Sequence, residues 1–284
     1  MTPGKEETVD FGYQQVPRAD KAQRVRAVFD SVASRYDLMN DLMSGGTHRL
    51  WKKFALSLTG LKLGGRVLDV AGGTGDLAAG LAQQVGQSGL VVLTDINAAM
   101  LNAGRDRLID AGLVGNVLYT QADAERLPFP DAAFDHAFTV TVLEECDADQ
   151  ALRELFRVVK PGGRVGVIVR AIDMPQWWHL ALPDPIRRKA NVPPQSNGPR
   201  GVADASLYRR MRAAGFRDLT CFPALVTFDR PDGPIWRYRE DHVLGQLNEA
   251  ETAIWRAATQ AARADGLLFM ANPLHRAVGI KPAA

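Results

Sequence analysis

The fold is decided by a short stretch at residues 66–77, which reads RVLDVAGGTGDL. Its apolar first half is typical of a strand buried on both faces, and the glycines that follow predict a tight turn. An amphipathic pattern over residues 74–85 then predicts a helix. Glycine lets the backbone approach a ligand where a Cβ would clash, and a helix N-terminus offers free N–H groups. The stretch therefore predicts a strand–turn–helix unit that binds a cofactor.

The same alternation continues downstream of this unit. Strands alternating with helices of about a dozen residues predict a parallel, doubly wound α/β sheet. The sequence Pro-Gly-Gly at 161–163 is predicted to close the last of these helices, because proline cannot continue it. The further strands are predicted at residues 90–94, 117–121, 134–140 and 164–170, and the further helices at residues 98–111 and 149–159.

Further segments are predicted before and after this sheet in the chain. We predict a loose arm at residues 1–20 and a single domain at 21–284, with a helical cap at 21–62. Insertions on the substrate side are predicted at residues 172–203 and 230–266. The last third is predicted to hold a helix at 207–214, a strand within 216–228, a Pro/Gly/Trp loop at 230–239, a helix at 248–264 and a strand at 267–280.

Composition excludes several classes of protein. The chain has 284 residues and a net charge of +2, which gives no bulk signal for nucleic acid. The two cysteines have neither metal-ligand spacing nor a disulfide framework, so we predict a cytoplasmic protein without a metal site. The polar N-terminus lacks a secretory apolar core, and no apolar run approaches the roughly 20 residues that span a bilayer. Peripheral membrane contact and oligomerisation stay open.

Polar residues follow the predicted strands at one edge of the sheet. Asp69 lies inside the first strand, Asp95 closes the second, and Asp123 follows the third. A carboxylate at the end of the second strand can accept hydrogen bonds from ribose hydroxyls. The residues of this edge predicted to bind the cofactor are Asp69, Gly73, Thr74, Gly75, Asp95, Ile96, Asp123, Ala124 and Thr139.

Two cofactors fit the glycine turn taken alone. Residues 73–78, GTGDLA, match the dinucleotide pattern G-x-G-x-x-A, and Asp95 stands about 20 residues further on, as for NAD. Asp69 within the strand, Asp123 and the Pro-Gly-Gly turn favour S-adenosylmethionine instead. The positive sulfonium and ammonium groups of S-adenosylmethionine suit a cleft rich in carboxylates, whereas the pyrophosphate of NAD does not.

Three segments carry a resemblance to a known family. Residues 36–51 read YDLMNDLMSGGTHRLW, residues 67–77 read VLDVAGGTGDL, and residues 157–163 read RVVKPGG. Together they resemble the signatures of the ubiquinone/menaquinone biosynthesis C-methyltransferase family. The resemblance is dense from Phe11 to about Phe138 and patchy beyond.

The resemblance implies a class I methyltransferase with a Rossmann-like, seven-stranded sheet whose last strand is antiparallel. It implies S-adenosylmethionine as cofactor, S-adenosylhomocysteine as product and a lipophilic ring as acceptor. By carry-over, Asp69 lies near the methionine amine, Asp95 holds the ribose and Asp123 the adenine side. Tyr36 and Met43, in the N-terminal helices, would cover the cofactor.

The chain departs from the family after the fourth strand. The family has a Phe-Gly-Leu-Arg-Asn-like segment facing the substrate, whereas residues 140–146 here read VTVLEEC. A glutamate has the opposite electrostatic effect to an arginine that stabilises a developing phenolate. The C-terminal third departs too, so we predict a divergent member with a different acceptor.

Two residues are candidates for catalysis. Glu144 could orient the cofactor or take a proton, or it could be an acid favoured by a helix N-terminus. His179 could be a general base with a pKa near neutrality, or a surface or capping histidine.

Three residues are candidates for binding the acceptor. Trp177 and Trp178 could line an apolar pocket or pack within a lid. Arg170 could bind an anionic acceptor or pair with Asp173.

The sequence therefore predicts methyl transfer to carbon or oxygen of a small hydrophobic, cyclic metabolite that is quinol-, phenol- or terpenoid-like. Two alternatives stay open. One is an enzyme of the same fold with atypical one-carbon or S-adenosylmethionine chemistry, such as a demethylase, dehalogenase or lyase. The other is a binding protein without catalysis.

Overall fold

The computed structural model describes residues 8–11, 14–17, 60–195, 197–228 and 234–283. Tyr36, Met43 and nearly all of the predicted cap at 21–62 lie outside the described residues. Within the predicted arm, strands β1 (Thr8–Phe11) and β2 (Gln14–Pro17) pair antiparallel, so this part of the arm is a hairpin.

The predicted alternation of strands and helices is confirmed. The elements of the alternating region are β3 (Arg66–Val70), α1 (Asp76–Val85), β4 (Leu90–Asp95), α2 (Ala98–Asp110), β5 (Val117–Gln121), β6 (Phe134–Val140), α3 (Ala148–Val158) and β7 (Val159–Arg170). The elements that follow are β8 (Trp177–Trp178), α4 (Asp184–Ala190), α5 (Ser206–Ala213), β9 (Arg217–Phe228), α6 (Pro234–Leu244), α7 (Glu249–Ala264) and β10 (Met270–Ile280). No helix among the described residues is long and apolar enough to cross a membrane.

The sheet has the predicted doubly wound order. Strands β5, β4, β3, β6 and β7 pair in parallel in that order, and β10 follows, antiparallel to β7. Strand β9 pairs antiparallel with the far side of β10, which completes seven long strands. The antiparallel last strand implied by the family resemblance is thus present.

Helices cover both faces of the sheet because the buried strands present apolar side chains to each side. In β3, Val67 packs with α1 and α2, whereas Leu68 and Val70 pack with α3 and α5. Since side chains alternate along a strand, Asp69 points to the same face as Val67, toward the helix that follows the glycine turn.

The Pro-Gly-Gly sequence lies inside a strand rather than in a separate turn. Helix α3 ends at Val158, and β7 begins directly at Val159. Gly162 has a φ of 80° and donates its N–H to the carbonyl of Lys281 at 2.8 Å. These glycines bend the start of β7 while keeping it paired beyond the end of β10.

The two-residue strand β8 continues the line of β7 past the edge of the sheet. Leu274 of β10 pairs with Arg170, and Ala271 pairs with Trp177. Strand β9 occupies the other side of β10 along this length, so β8 lies on the side of β7 and runs in its direction. The two pairings are three positions apart along β10, so β8 stands about 10 Å beyond the carboxyl edge.

A lid with its own apolar core surrounds β8. We use "lid" for β8, α4, α6 and α7. Trp178, Trp236 and Trp255 form its centre, and Trp178 meets the other two rings edge to face at 5.1 and 5.0 Å between centroids. Parts of the two predicted insertions, namely β8 with α4 and α6 with α7, therefore share one apolar core.

The predicted loop at residues 230–239 is wrong for its second half, since α6 begins at Pro234. Proline suits the first position of a helix because its fixed φ is helical and its missing N–H needs no partner there. Trp236, Arg239 and Val243 then recur at spacings of three and four and are all buried. Pro231 and Gly233, just before this helix, concealed its period.

Candidate functional site

The carboxyl ends of the parallel strands bring the predicted polar residues to one edge. Asp123 follows β5, Asp95 ends β4, the glycine turn follows β3, Glu144 lies after β6, and Arg170 ends β7. Neighbouring strands are about 4.8 Å apart, so this row extends over about 19 Å. Ligands of open α/β sheets bind at this edge.

The glycine turn holds a backbone shape that few side chains permit. Ala71, Gly73 and Gly75 have φ values of 56°, 57° and 78°, all left-handed. Gly72 donates its N–H to the carbonyl of Thr94 at 2.9 Å, which ties the turn to β4. The left-handed alanine costs of order 1 kcal/mol, which the surrounding ladder must offset.

Asp69 is packed beneath this turn and is only 1% exposed. A Cβ placed on Gly72 would lie 2.5 Å from its Oδ2 atom and 2.4 Å from Leu93. Glycine at position 72 therefore lets the turn cross directly over the carboxylate. The arrangement leaves a cradle of backbone above a buried acid.

Asp95 is held by the backbone of the same turn. Its Oδ2 accepts from the N–H of Gly73 at 3.0 Å, and its Oδ1 accepts from that of Asn97 at 2.8 Å. Burial raises the pKa of Asp95, and these backbone amides oppose the rise. Each carboxylate oxygen can accept a further bond, so a pair of ribose hydroxyls could still be bound. The adjacent Ile96 is 55% exposed, as a side chain that covers a ligand would be.

The other predicted cofactor residues fall into two groups. Asp123 is exposed, with Oδ1 accepting from the N–H of Glu125 at 2.9 Å, and Ala124 beside it is buried. Thr74 and Thr139 are buried, and the Thr139 hydroxyl donates to the carbonyl of Val70 at 3.0 Å. The first pair lines the edge, whereas the Thr139 hydroxyl joins two strands.

Glu144 and Arg170 form an ion pair at the end of the edge formed by β6 and β7. Glu144 is 2% exposed; its Oε1 accepts from the backbone N–H of Arg170 at 2.6 Å, and its Oε2 contacts the guanidinium Nε. Burial raises the pKa of Glu144, and the charge and hydrogen bonds of Arg170 oppose the rise. The alternative pairing of Arg170 with Asp173 is wrong, because Asp173 pairs with His275 at 2.7 Å.

His179 and the two tryptophans stand in the lid, beyond the edge. The Nδ1 atom of His179 lies 2.8 Å from the carbonyl oxygen of Leu267, which can only accept a hydrogen bond, so Nε2 is the ring nitrogen that this contact does not use. Trp177 is 43% exposed beside Phe269, whereas Trp178 is buried and donates its Nε1–H to the carbonyl of Ala190 at 3.0 Å. Their roles in catalysis and acceptor binding stay predictions.

Arg239 is the residue near this edge that sequence reasoning missed. It is 6% exposed, and it lines a narrow cleft with Arg170 and Pro273. The sequence pattern placed position 239 in a loop, where an arginine does not indicate a buried or functional residue. The buried period of α6 was the signal that could have identified it.

Comparison with known proteins gives a family match. The model of the ubiE/COQ5 methyltransferase family matches residues 18–177. The ubiquinone/menaquinone biosynthesis C-methyltransferase UbiE of Cellvibrio japonicus is 57% identical over 165 residues, which cover 58% of this chain and 66% of the relative. The match thus spans just under two thirds of that relative's length, and the family model ends at β8.

Two solved structures share the fold. The [4+2]-cyclase SpnF superimposes with a TM-score of 0.56 at 21% identity, covering 93% of this chain and 97% of SpnF. A SAM dependent methyltransferase from Aquifex aeolicus superimposes with a TM-score of 0.50 at 19% identity, covering 84% of this chain and 97% of that protein. At such identities the likeness shows the fold alone.

Proposed function

The chain belongs to the ubiE/COQ5 methyltransferase family, and on that premise we propose that it transfers a methyl group from S-adenosylmethionine. The acceptor is a carbon or oxygen atom of a small hydrophobic, cyclic metabolite. The observation that carries the proposal is the cradle over Asp69, where Gly72 has no room for a Cβ and Asp95 is fixed by the turn's own amide.

The residues of the cradle fit S-adenosylmethionine. The carboxylate of Asp69, beneath the turn, favours the positive amine of the methionine end. Asp95 would accept from the ribose hydroxyls, and Asp123 with the N–H of Ala124 would face the adenine. In this proposal the sulfonium would lie near β3 and β6, beside the acceptor side.

In this reaction the main tasks of the chain are to position the methyl donor and its acceptor and to exclude water. S-adenosylmethionine supplies an electrophilic methyl group that is transferred by in-line displacement, so alignment at near-attack distance accounts for much of the rate. The lid over the end of β7 is suited to covering the acceptor. Glu144 is engaged by Arg170 on both oxygens, which favours a role in positioning that arginine over taking a proton.

One observation favours a second candidate function. Glu144 and Glu145 stand where the family has an Arg-Asn pair, so the charge facing the acceptor differs. A chain that keeps the cofactor cradle and changes the acceptor side could carry out another reaction in the same fold. Product analysis distinguishes this from methylation, since a methylated product is 14 mass units heavier than its acceptor.

The first experiment measures S-adenosylmethionine and S-adenosylhomocysteine binding by calorimetry, followed by a mass-spectrometric scan of phenols and quinols for methylation. Asp95→Ala should weaken nucleotide binding by at least tenfold, about 1.4 kcal/mol. Asp110→Ala, an exposed aspartate at the end of α2, is the matched control and should leave it unchanged. Binding weaker than about 1 mM, roughly −4 kcal/mol, would refute the proposal.

A further inference from the structure

A narrow cleft opens at the end of β7, on the acceptor side of the edge. Two guanidinium groups line it, from Arg170 and Arg239, and the rest of its wall is mostly apolar. The other lining residues are Ala171, Ile172, Pro193, Pro194 and Pro273. A guanidinium group buried in an apolar wall is costly unless an anion pairs with it.

Arg239 lacks a carboxylate partner among the described residues. Its one side-chain hydrogen bond there runs from Nη1 to the Oε1 of Gln176 at 3.4 Å, which is long. Its Nε is buried and has no acceptor. Burial and the nearby charge of Arg170 lower the pKa of Arg239 to about 10, so it stays charged at neutral pH.

Arg170 differs from Arg239 because acids already face it. Glu144 binds its Nε and its backbone N–H, and Glu145 lies 3.7 Å from its Nη2. Glu144 and Glu145 therefore face Arg170, whereas the guanidinium donors of Arg239 can bind an anion from outside the protein.

The walls of the cleft indicate what kind of molecule could bring an anion to Arg239. The three prolines have no N–H to donate, so the guanidinium donors are the polar groups that an anion would meet on entry. The cleft is too narrow to enclose a water molecule, so its guanidinium donors could meet only a flat anion at its mouth, with a hydrophobic body resting on the apolar rim. A carboxylate fits the planar fork of a guanidinium with two parallel hydrogen bonds.

We propose that Arg239 binds the carboxylate of an acidic, hydrophobic acceptor. The inference rests on the proposed function and adds the substrate class to it. Strand β7 lies two strand spacings, about 10 Å, from β3 and its glycine turn, which places the cleft on the acceptor side. The methionine carboxylate of the cofactor has the same chemistry, and the experiment separates the two sources.

The test titrates benzoate and its neutral analogue benzamide into the full chain saturated with S-adenosylhomocysteine, by calorimetry. We expect benzoate to bind at least tenfold more tightly than benzamide. Arg239→Gln should remove this preference. Arg237→Gln, which removes an exposed arginine of the same helix, should retain it.

Stability gives a second readout. Arg239→Gln removes a buried charge without a carboxylate partner, so its melting temperature should equal or exceed that of the unchanged chain while the preference for benzoate is lost. If Arg239→Gln does not fold, Arg239→Lys replaces it: it keeps the charge but loses the planar fork, so the preference should fall without vanishing.

Equal binding of benzoate and benzamide would overturn the inference. So would a tenfold loss of S-adenosylhomocysteine binding in Arg239→Gln with the benzoate preference intact, because the bound carboxylate would then be the cofactor's own. Failure of the proposed function gives a different result, namely no nucleotide binding in the unchanged chain. The benzoate titration is then run without nucleotide, and its outcome still decides on Arg239.

Discussion

The cofactor edge and the lid are organised by different forces. At the edge, polar groups are fixed by backbone, as Asp95 is by Gly73 and Gly72 by Thr94. In the lid, Trp236 and Trp255 pack edge to face against Trp178, and the buried Arg239 lacks a carboxylate partner among the described residues. The family match covers the first region and ends at the start of the second.

The two kinds of organisation suit two different tasks, namely binding the cofactor and binding the acceptor. A cofactor that is the same throughout a family can be held by backbone geometry, which tolerates few changes. In the proposed function an acceptor that differs would be met by side chains from a separately packed unit, which can change without disturbing the sheet. We expect variants in the lid and at the edge to have separable effects, and the following three measurements test that separation.

The largest effect on stability is expected for Trp236→Ala. Trp236 is fully buried in the lid core, so its removal should lower the free energy of unfolding by about 3–5 kcal/mol. S-adenosylhomocysteine affinity should change less than about threefold, since the cradle is built from the sheet. Trp177→Ala, in the same strand as Trp178 but exposed, should cost only about 0.5–1.5 kcal/mol. Denaturant titration and calorimetry measure both quantities; a tenfold loss of affinity would show that the two regions are not separable.

A smaller loss of stability with a larger loss of binding is expected for Gly72→Ala. Its Cβ would meet Leu93 at 2.4 Å and Asp69 at 2.5 Å, so the turn must shift at a cost of about 1–3 kcal/mol. S-adenosylhomocysteine affinity should fall at least tenfold. Gly245→Ala, directly after α6, is the matched control because its Cβ would meet no atom closer than 3.4 Å. Unchanged affinity in Gly72→Ala would contradict the cradle.

The smallest effect is a pH dependence from Glu144, which joins the edge to the lid through Arg170. Burial raises its pKa above the ordinary 4.5, so the folded chain keeps a proton that the unfolded chain releases. Its stabilising contribution is complete below pH 4.5 and is lost as the pH rises through the folded pKa. In that window the unchanged chain should lose up to about 1.4 kcal/mol per pH unit more than Glu144→Gln. Parallel unfolding curves across pH 4–8 would contradict this.

Much of the fold could be predicted from local pattern. The buried strand at 66–70, the glycines after it and the aspartate at position 95 each carry their own signal, because a parallel sheet needs apolar runs and tight turns at regular intervals. The helix at 234–244 could not be predicted with the same ease, since Pro231 and Gly233, just before it, suggested a loop.

The candidate site divides in the same way. The row of acids at the edge followed from strand order, because the ends of parallel strands meet. The sequence did not predict the pairing of Glu144 with Arg170 or that of Asp173 with His275, because these partners are 26 and 102 residues apart in the chain. No local pattern specifies which of several acids an arginine will meet.

The sequence by itself determined the sheet, the glycine turn and the kind of cofactor, since each depends on residues within one strand–turn–helix unit or on the order of such units. Only the tertiary structure decided which charges are neutralised at the ends of β6 and β7. Strand β8 extends β7 beyond the sheet, and α6 brings Arg239 to the cleft that Arg170 also lines. The physical reason is that burial and counter-ions depend on packing between segments far apart in the chain, whereas turns and strands depend on neighbours along it.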